Sequence, residues 1–107
     1  MIELRRYQLA DQTVPVTDWL HALRDMRARA QIEVRLRRVS TGNFGDCKSV
    51  GGGVSELRID LGAGYRVYYA KHGQTLVILL CGGDKSSQQS DTAHAKDYLA
   101  DWKRRNS

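Results

Sequence analysis

Arg58 and Arg66 flank a Gly62-Ala63-Gly64 turn, and Lys85 follows an apolar run that ends at Cys81. Two guanidinium groups and an ammonium brought to one spot can grip a phosphate. They also stabilise the added negative charge of a phosphodiester under attack. RNA carries its own nucleophile, the 2′-hydroxyl. Its cleavage without a metal then needs positioning, charge stabilisation and some proton transfer.

The elements around these residues decide whether they meet. Residues 56–69 read as a β-hairpin with period-two alternation. With Leu61 opposite Tyr65, Ile59 faces Val67 and Leu57 faces Tyr69, which builds one apolar side. The other side carries Glu56, Arg58, Asp60, Arg66 and Tyr68, with Asp60 across from Arg66. The His72-Gly73-Gln74 turn sets the next strand beside the hairpin, so that Leu80 and Cys81 lie near Tyr65 and Arg66. The loop Gly82–Gln88 then emerges near Arg66 and brings Lys85 with it, while Lys48 approaches from the side. A plainer reading stands beside this one. Cross-strand ion pairs on a solvated sheet face account for Glu56, Arg58, Asp60 and Arg66. Lys85 is then a solvated loop lysine, and Tyr68 covers an arginine stem.

The rest of the chain supplies a strand and three helical stretches. Ile2–Gln8 reads as a strand, and Val14-Pro15-Val16 breaks the chain. Thr17 or Asp18 can cap a helix carrying Trp19, Leu20, Leu23 and Met26. A second helix over Arg27–Val39 places Ile32, Leu36 and Val39 inward and Arg29, Arg35, Arg37 and Arg38 elsewhere. No Gly or Pro separates the two, so two helices or one bent helix are both allowed. Thr41–Asp46 is a turn, and three glycines within Val50–Val54 form a flexible approach to the hairpin. Leu76–Cys81 is apolar on both faces and reads as an interior strand. Ser90 or Asp91 caps a last helix with Ala95, Tyr98, Leu99 and Trp102 on one side. The expected class is α+β, in the order β-α-α-β-β-β-α, with an antiparallel sheet packed against helices in a single domain, residues 1–107.

Bulk properties narrow the partners. The 107 residues hold 17 Lys plus Arg against 12 Asp plus Glu, a net charge of +5 that favours a polyanionic or acidic partner. No apolar run approaches the ~20 residues of a membrane span. Met1–Arg6 lacks the apolar middle of a secretion signal, so the cytoplasm is the expected compartment. Cys47 and Cys81 form no CxxC pair and match no zinc spacing, and Cys81 reads as a small buried hydrophobe. Phosphate-loop, zinc-protease and serine-hydrolase motifs are missing. No metal and no cofactor is expected.

Four segments taken in order resemble the RelE/ParE toxin superfamily: Gly42–Lys48, Val54–Asp60 with its Glu-Leu-Arg, Gly64–Tyr69, and Leu79–Gln88 with its Gly-Gly-Asp-Lys-Ser-Ser-Gln. The likeness is greatest to the HigB-type branch and runs from Asp18 to Tyr98. It implies a compact RelE-like, microbial-RNase-type fold and a type II toxin–antitoxin toxin silenced by a partner antitoxin. The resemblance puts Arg66 at the family's catalytic arginine, with Arg58 and Lys85 at basic positions on the preceding strand and after the last one. The activity it implies is ribosome-dependent mRNA cleavage. Lys48 and Tyr68 near the cluster, and Arg35 and Arg38 on the basic second helix, are the expected RNA contacts. The gyrase-poisoning mode of the ParE branch and an inactive, antitoxin-binding relative are the alternatives. The expected partners are the ribosome, mRNA and a helix-turn-helix antitoxin of HigA type, with no membrane. The chain departs from the family by carrying Glu56 where RelE-type enzymes have a basic residue, and Asp91 near their C-terminal tyrosine. Glu56, Asp84 and His94 are the candidate general bases.

Overall fold

The computed structural model describes all residues, Met1–Ser107. Its elements are β1 (Glu3–Arg6), α1 (Pro15–Ala22), α2 (Met26–Ser40), β2 (Cys47–Gly51), β3 (Val54–Ile59), β4 (Tyr65–His72), β5 (Leu76–Gly83) and α3 (Gln88–Arg105). A 3₁₀ turn, Lys85–Ser87, leads into α3.

The class is α+β, but the sheet is mixed and not antiparallel. Its five strands run in the order β1-β5-β4-β3-β2. β1 lies parallel to β5, with Leu4 beside Val77, and the other neighbours are antiparallel. The additional strand is β2. Its sequence, Cys-Lys-Ser-Val-Gly, holds one large hydrophobe and no alternation. An edge strand needs little apolar content of its own because its partner's ladder holds it. Gly52 and Gly53 close the β2–β3 hairpin with positive φ, a conformation that costs glycine little.

Helices cover both faces of the sheet. On one face Leu20 of α1 and Ile32, Leu36 and Val39 of α2 pack on Leu57, Ile59, Val67, Tyr69, Val77 and Leu79. On the other, Ala95, Leu99 and Trp102 of α3 pack on Val54, Tyr68, Ala70, Ile78 and Leu80. β5 is therefore the interior strand that its unbroken apolar run implies. Asp25 divides α1 from α2: its carboxylate accepts from the Ala28 amide at 3.1 Å while Leu23 is extended. Pro15 starts α1, where a missing N–H costs nothing, so neither Thr17 nor Asp18 is the cap. α3 starts at Gln88 after Ser87, ahead of the expected Ser90 or Asp91.

The hairpin register differs from the expected one by two residues. Pairing ends at Ile59–Tyr65, and residues 60–64 form a wider loop with Gly62 and Gly64 at positive φ. Leu57 therefore faces Val67, Ser55 faces Tyr69, and Arg58 faces Arg66. β4 and β5 pair from His72–Leu76 onward, and a bulge between Tyr68 and Tyr69 adds one further residue of offset, so Gly83 and not Cys81 lies beside Arg66. In the β3–β4 hairpin the two-residue shift keeps every side chain on its predicted face.

Candidate active site

Arg58, Arg66 and Lys85 line one small cleft of about 190 Å³, together with Asp46 and Asp60. Each comes from a different element. Arg58 is the fifth residue of β3, Arg66 the second of β4, and Lys85 the first of the 3₁₀ turn beyond β5. Asp84 sets that turn: its carboxylate accepts from the Ser86 hydroxyl and, at 2.8 Å, from the Ser86 amide, and these bonds hold its pKa below the usual carboxylate range. The stem of Lys85 then lies over Gly64, where a Cβ would come within 3.0–3.1 Å of it. Gly82 and Gly83 are small for steric reasons. A side chain at 82 would enter the Trp19 ring, and one at 83 would strike Asp91 and Ser87.

The two arginines stand in different surroundings. Arg66 is 8% exposed, and its Nη1 donates to the Gly64 carbonyl at 2.8 Å. Its Nε sits 3.7 Å from Glu56, which is only 2% exposed and also accepts from Gln88 at 3.3 Å. That Nε makes no hydrogen bond. Arg58 is half-buried, and its Nε and Nη2 both donate to Asp46 Oδ1, at 3.2 and 2.9 Å. Lys85 is exposed and takes part in no ion pair. Asp60, also exposed, makes neither a hydrogen bond nor an ion pair through its side chain.

The expected face of Glu56, Arg66 and Tyr68 is not solvated. α3 lies over it and buries all three. Tyr68, expected to touch RNA, is fully buried, and its hydroxyl lacks a hydrogen-bond partner. Burial pushes its pKa up to about 12. It belongs to the core under α3 and cannot reach a nucleic acid. Arg35, also expected at an RNA surface, turns inward. Its Nη1 donates to the Arg58 carbonyl at 2.7 Å, and its Nη2 to the carbonyls of Phe44 and Asp46 at 3.0 and 3.1 Å. It ties the Asp46 loop to the Arg58 strand and is a positioning residue. Lys48 and Arg38 are exposed and outside the cleft, Lys48 on the edge strand opposite Glu56.

None of the three candidate bases faces the cleft. Glu56 is buried, Asp84 caps its turn, and His94 is exposed, with its ring stacked 6.3 Å from Tyr98. The cleft carboxylates are Asp46 and Asp60. Asp60 was visible in the hairpin pattern as a charge beside Arg66. Asp46 was hidden, because nothing in the turn residues showed that a β2 strand carries them to β3. No group of three or more His, Cys, Asp or Glu side chains is assembled that could hold a metal ion. No helix is long and apolar enough to cross a membrane.

A family model described as phage-derived protein Gp49-like (DUF891) matches residues 18–100, a span that runs from within α1 through most of α3 and contains every cleft residue. A Haemophilus influenzae protein, described only as uncharacterized, is 54% identical over 84 residues, covering 78% of this chain and 85% of that relative. Gp49-like proteins are associated with toxin–antitoxin toxins. The chain thus belongs to the Gp49-like family of phage-derived proteins, a family of RelE/HigB-like toxins.

Proposed function

We propose that this protein is the toxin of a HigB-type type II module, a metal-independent endoribonuclease that cuts mRNA on the ribosome. The observation that carries the reading is the shared cleft of Arg58, Arg66 and Lys85. In the reaction the RNA 2′-oxygen attacks the adjacent phosphorus and the bond to the 5′-oxygen breaks. The products are a 2′,3′-cyclic phosphate and a 5′-hydroxyl. The phosphoryl oxygens gain charge in the transition state, and fixed cations there stabilise it more than the bound substrate. Lys85 has an unpaired ammonium, and Arg58 turns an edge toward the same space. Arg66 is held rigid by Glu56 and Gly64 and presents the remainder of its fork. Asp60, the cleft carboxylate outside any ion pair, takes the 2′-hydroxyl proton, and the departing 5′-oxygen takes a proton from water.

A partner antitoxin fits the same surface. A helix-turn-helix protein of HigA type, with an acidic segment laid over the cleft, would occupy the cations that the phosphate needs.

One observation favours the gyrase-inhibitor alternative. Both arginines already have carboxylate partners, and no histidine lines the cleft. Translation reactions mapped by primer extension separate the readings. Discrete cuts in ribosome-bound mRNA that vanish in Arg66→Lys support the nuclease. Intact mRNA beside gyrase-trapped DNA breaks would remove it.

A further inference from the structure

The lysines and arginines of this protein are used differently. All five ion pairs employ arginine, and none involves a lysine. Lys48, Lys85, Lys96 and Lys103 are all exposed. Three of them follow α3. An open groove of about 700 Å³ starts at Lys85, on the rim of the cleft, and runs along α3 past Gln88, Gln89 and Thr92 to Lys96. Lys103 continues the line, because residues 89, 96 and 103 recur every seven positions on one side of a helix. The acidic residues of α3, Asp91, Asp97 and Asp101, fall on other sides of it.

The β2–β3 turn completes the track. Gly51, Gly52 and Gly53 all have positive φ and present bare backbone beneath the helix. The Lys96 stem and ammonium lie 3.4–3.5 Å from where side chains at 51 and 52 would begin, and the Lys103 ammonium lies 3.9 Å from that of 53. Lys48 projects from β2 on the same sheet face as Glu56.

We infer that the side of α3 from Lys85 through Lys96 to Lys103, over the Gly51–Gly53 turn, binds the phosphate backbone of the single-stranded RNA that flanks the cleaved bond. The inference rests on the nuclease reading for its substrate, although the binding it describes can be measured without cleavage. Lys96 and Lys103 stand about 10 Å apart along the helix at 1.5 Å per residue, a spacing that follows a backbone and not one ion. The groove's only apolar lining residue is Ala93. A bound peptide would need aromatic or aliphatic anchors, whereas a polynucleotide backbone needs only spaced cations and hydrogen-bond donors.

The test is the salt dependence of binding to a short 2′-O-methyl RNA, which cannot be cut. Replacing both lysines (Lys96→Gln with Lys103→Gln) should lower the magnitude of the log K against log salt slope by about 1.4, at roughly 0.7 per phosphate contact for single strands. If affinity at 1 M salt is unchanged, the same loss weakens binding about 25-fold at 0.1 M. Lys71→Gln, a control on the opposite side of the sheet beneath Phe44, should leave the slope alone. Unaltered melting of the double variant excludes misfolding. A slope equal to wild type overturns the inference, and it does so whether or not mRNA is cut. An equal slope with lost neutralisation by a co-expressed antitoxin would reassign the lysines to protein recognition. A lowered slope in a protein that never cuts RNA upholds the track and removes the nuclease reading instead.

Discussion

Arg58 and Arg66 stand directly opposite each other on β3 and β4. Like charges in that relation repel. The fold separates their roles by giving each a different carboxylate, Asp46 at 2.9 Å for Arg58 and Glu56 at 3.7 Å for Arg66. Those carboxylates make the two arginines unequal in mutagenesis. Arg66→Ala leaves Glu56 buried without its cation, at a cost of about 3–5 kcal/mol. Loss of growth arrest in that variant would therefore mix fold with chemistry. Arg66→Lys keeps the charge and loses the planar fork. It should hold most of the stability while cleavage falls about 10²-fold. Full cleavage by a folded Arg66→Lys protein would exclude a role for the fork in the reaction.

Asp46 restrains Arg58 at the surface. Exposed pairs of this kind contribute about 0–1 kcal/mol, so Asp46→Asn should shift the denaturation midpoint little. It should tighten binding of an uncleavable RNA, since the freed guanidinium no longer has a competing anion. Equal or weaker binding, by fluorescence anisotropy, would show that the pair orients Arg58 and does not mask it.

Arg35 spends its guanidinium on three backbone carbonyls. Hydrogen bonds to charged groups contribute about 1.5–3 kcal/mol each, and their losses within one residue overlap. Arg35→Met should destabilise by about 2–4 kcal/mol in urea and release the Asp46 loop. Arg38→Met, on the same helix but exposed, should cost under about 0.5 kcal/mol. Equal destabilisation by the two changes would refute the positioning role.

Alkali should loosen the sheet from its helices. Burial, with Asp101 reinforcing it, lifts the Tyr7 hydroxyl to about 12, and burial lifts Tyr68 to about 12 and raises Tyr69 as well. These phenols bind their protons more tightly folded than unfolded. Their contribution is complete below the ordinary value of 10 and is lost as pH rises through about 12. Tyrosinate absorbance should lag behind free tyrosine and appear together with the loss of near-ultraviolet circular dichroism. Ionisation of all five tyrosines near pH 10 with intact structure would contradict this.

The sequence by itself determined which residues face which way. Alternation in residues 56–69 placed Arg58 and Arg66 on one side, the apolar run 76–81 marked the interior strand, and helical spacing marked Ala95, Leu99 and Trp102. Those assignments rest on local geometry, in which period two and period 3.6 are fixed by the backbone, and a two-residue shift in register leaves them intact. The meeting of Lys85 with both arginines was legible for the same reason, because consecutive antiparallel strands bring their ends together.

What covers each face was decided only by tertiary structure. Glu56, Arg66 and Tyr68 look like a solvated stripe until α3 closes over them, and Arg35 looks like a surface cation until the 44–46 loop supplies three carbonyls to it. The parallel pairing of β1 with β5 and the docking of β2 on β3 join segments distant in sequence or weak in pattern. Local propensity does not specify partners across such gaps. Packing does, by choosing the one arrangement that buries both apolar faces of the sheet at once.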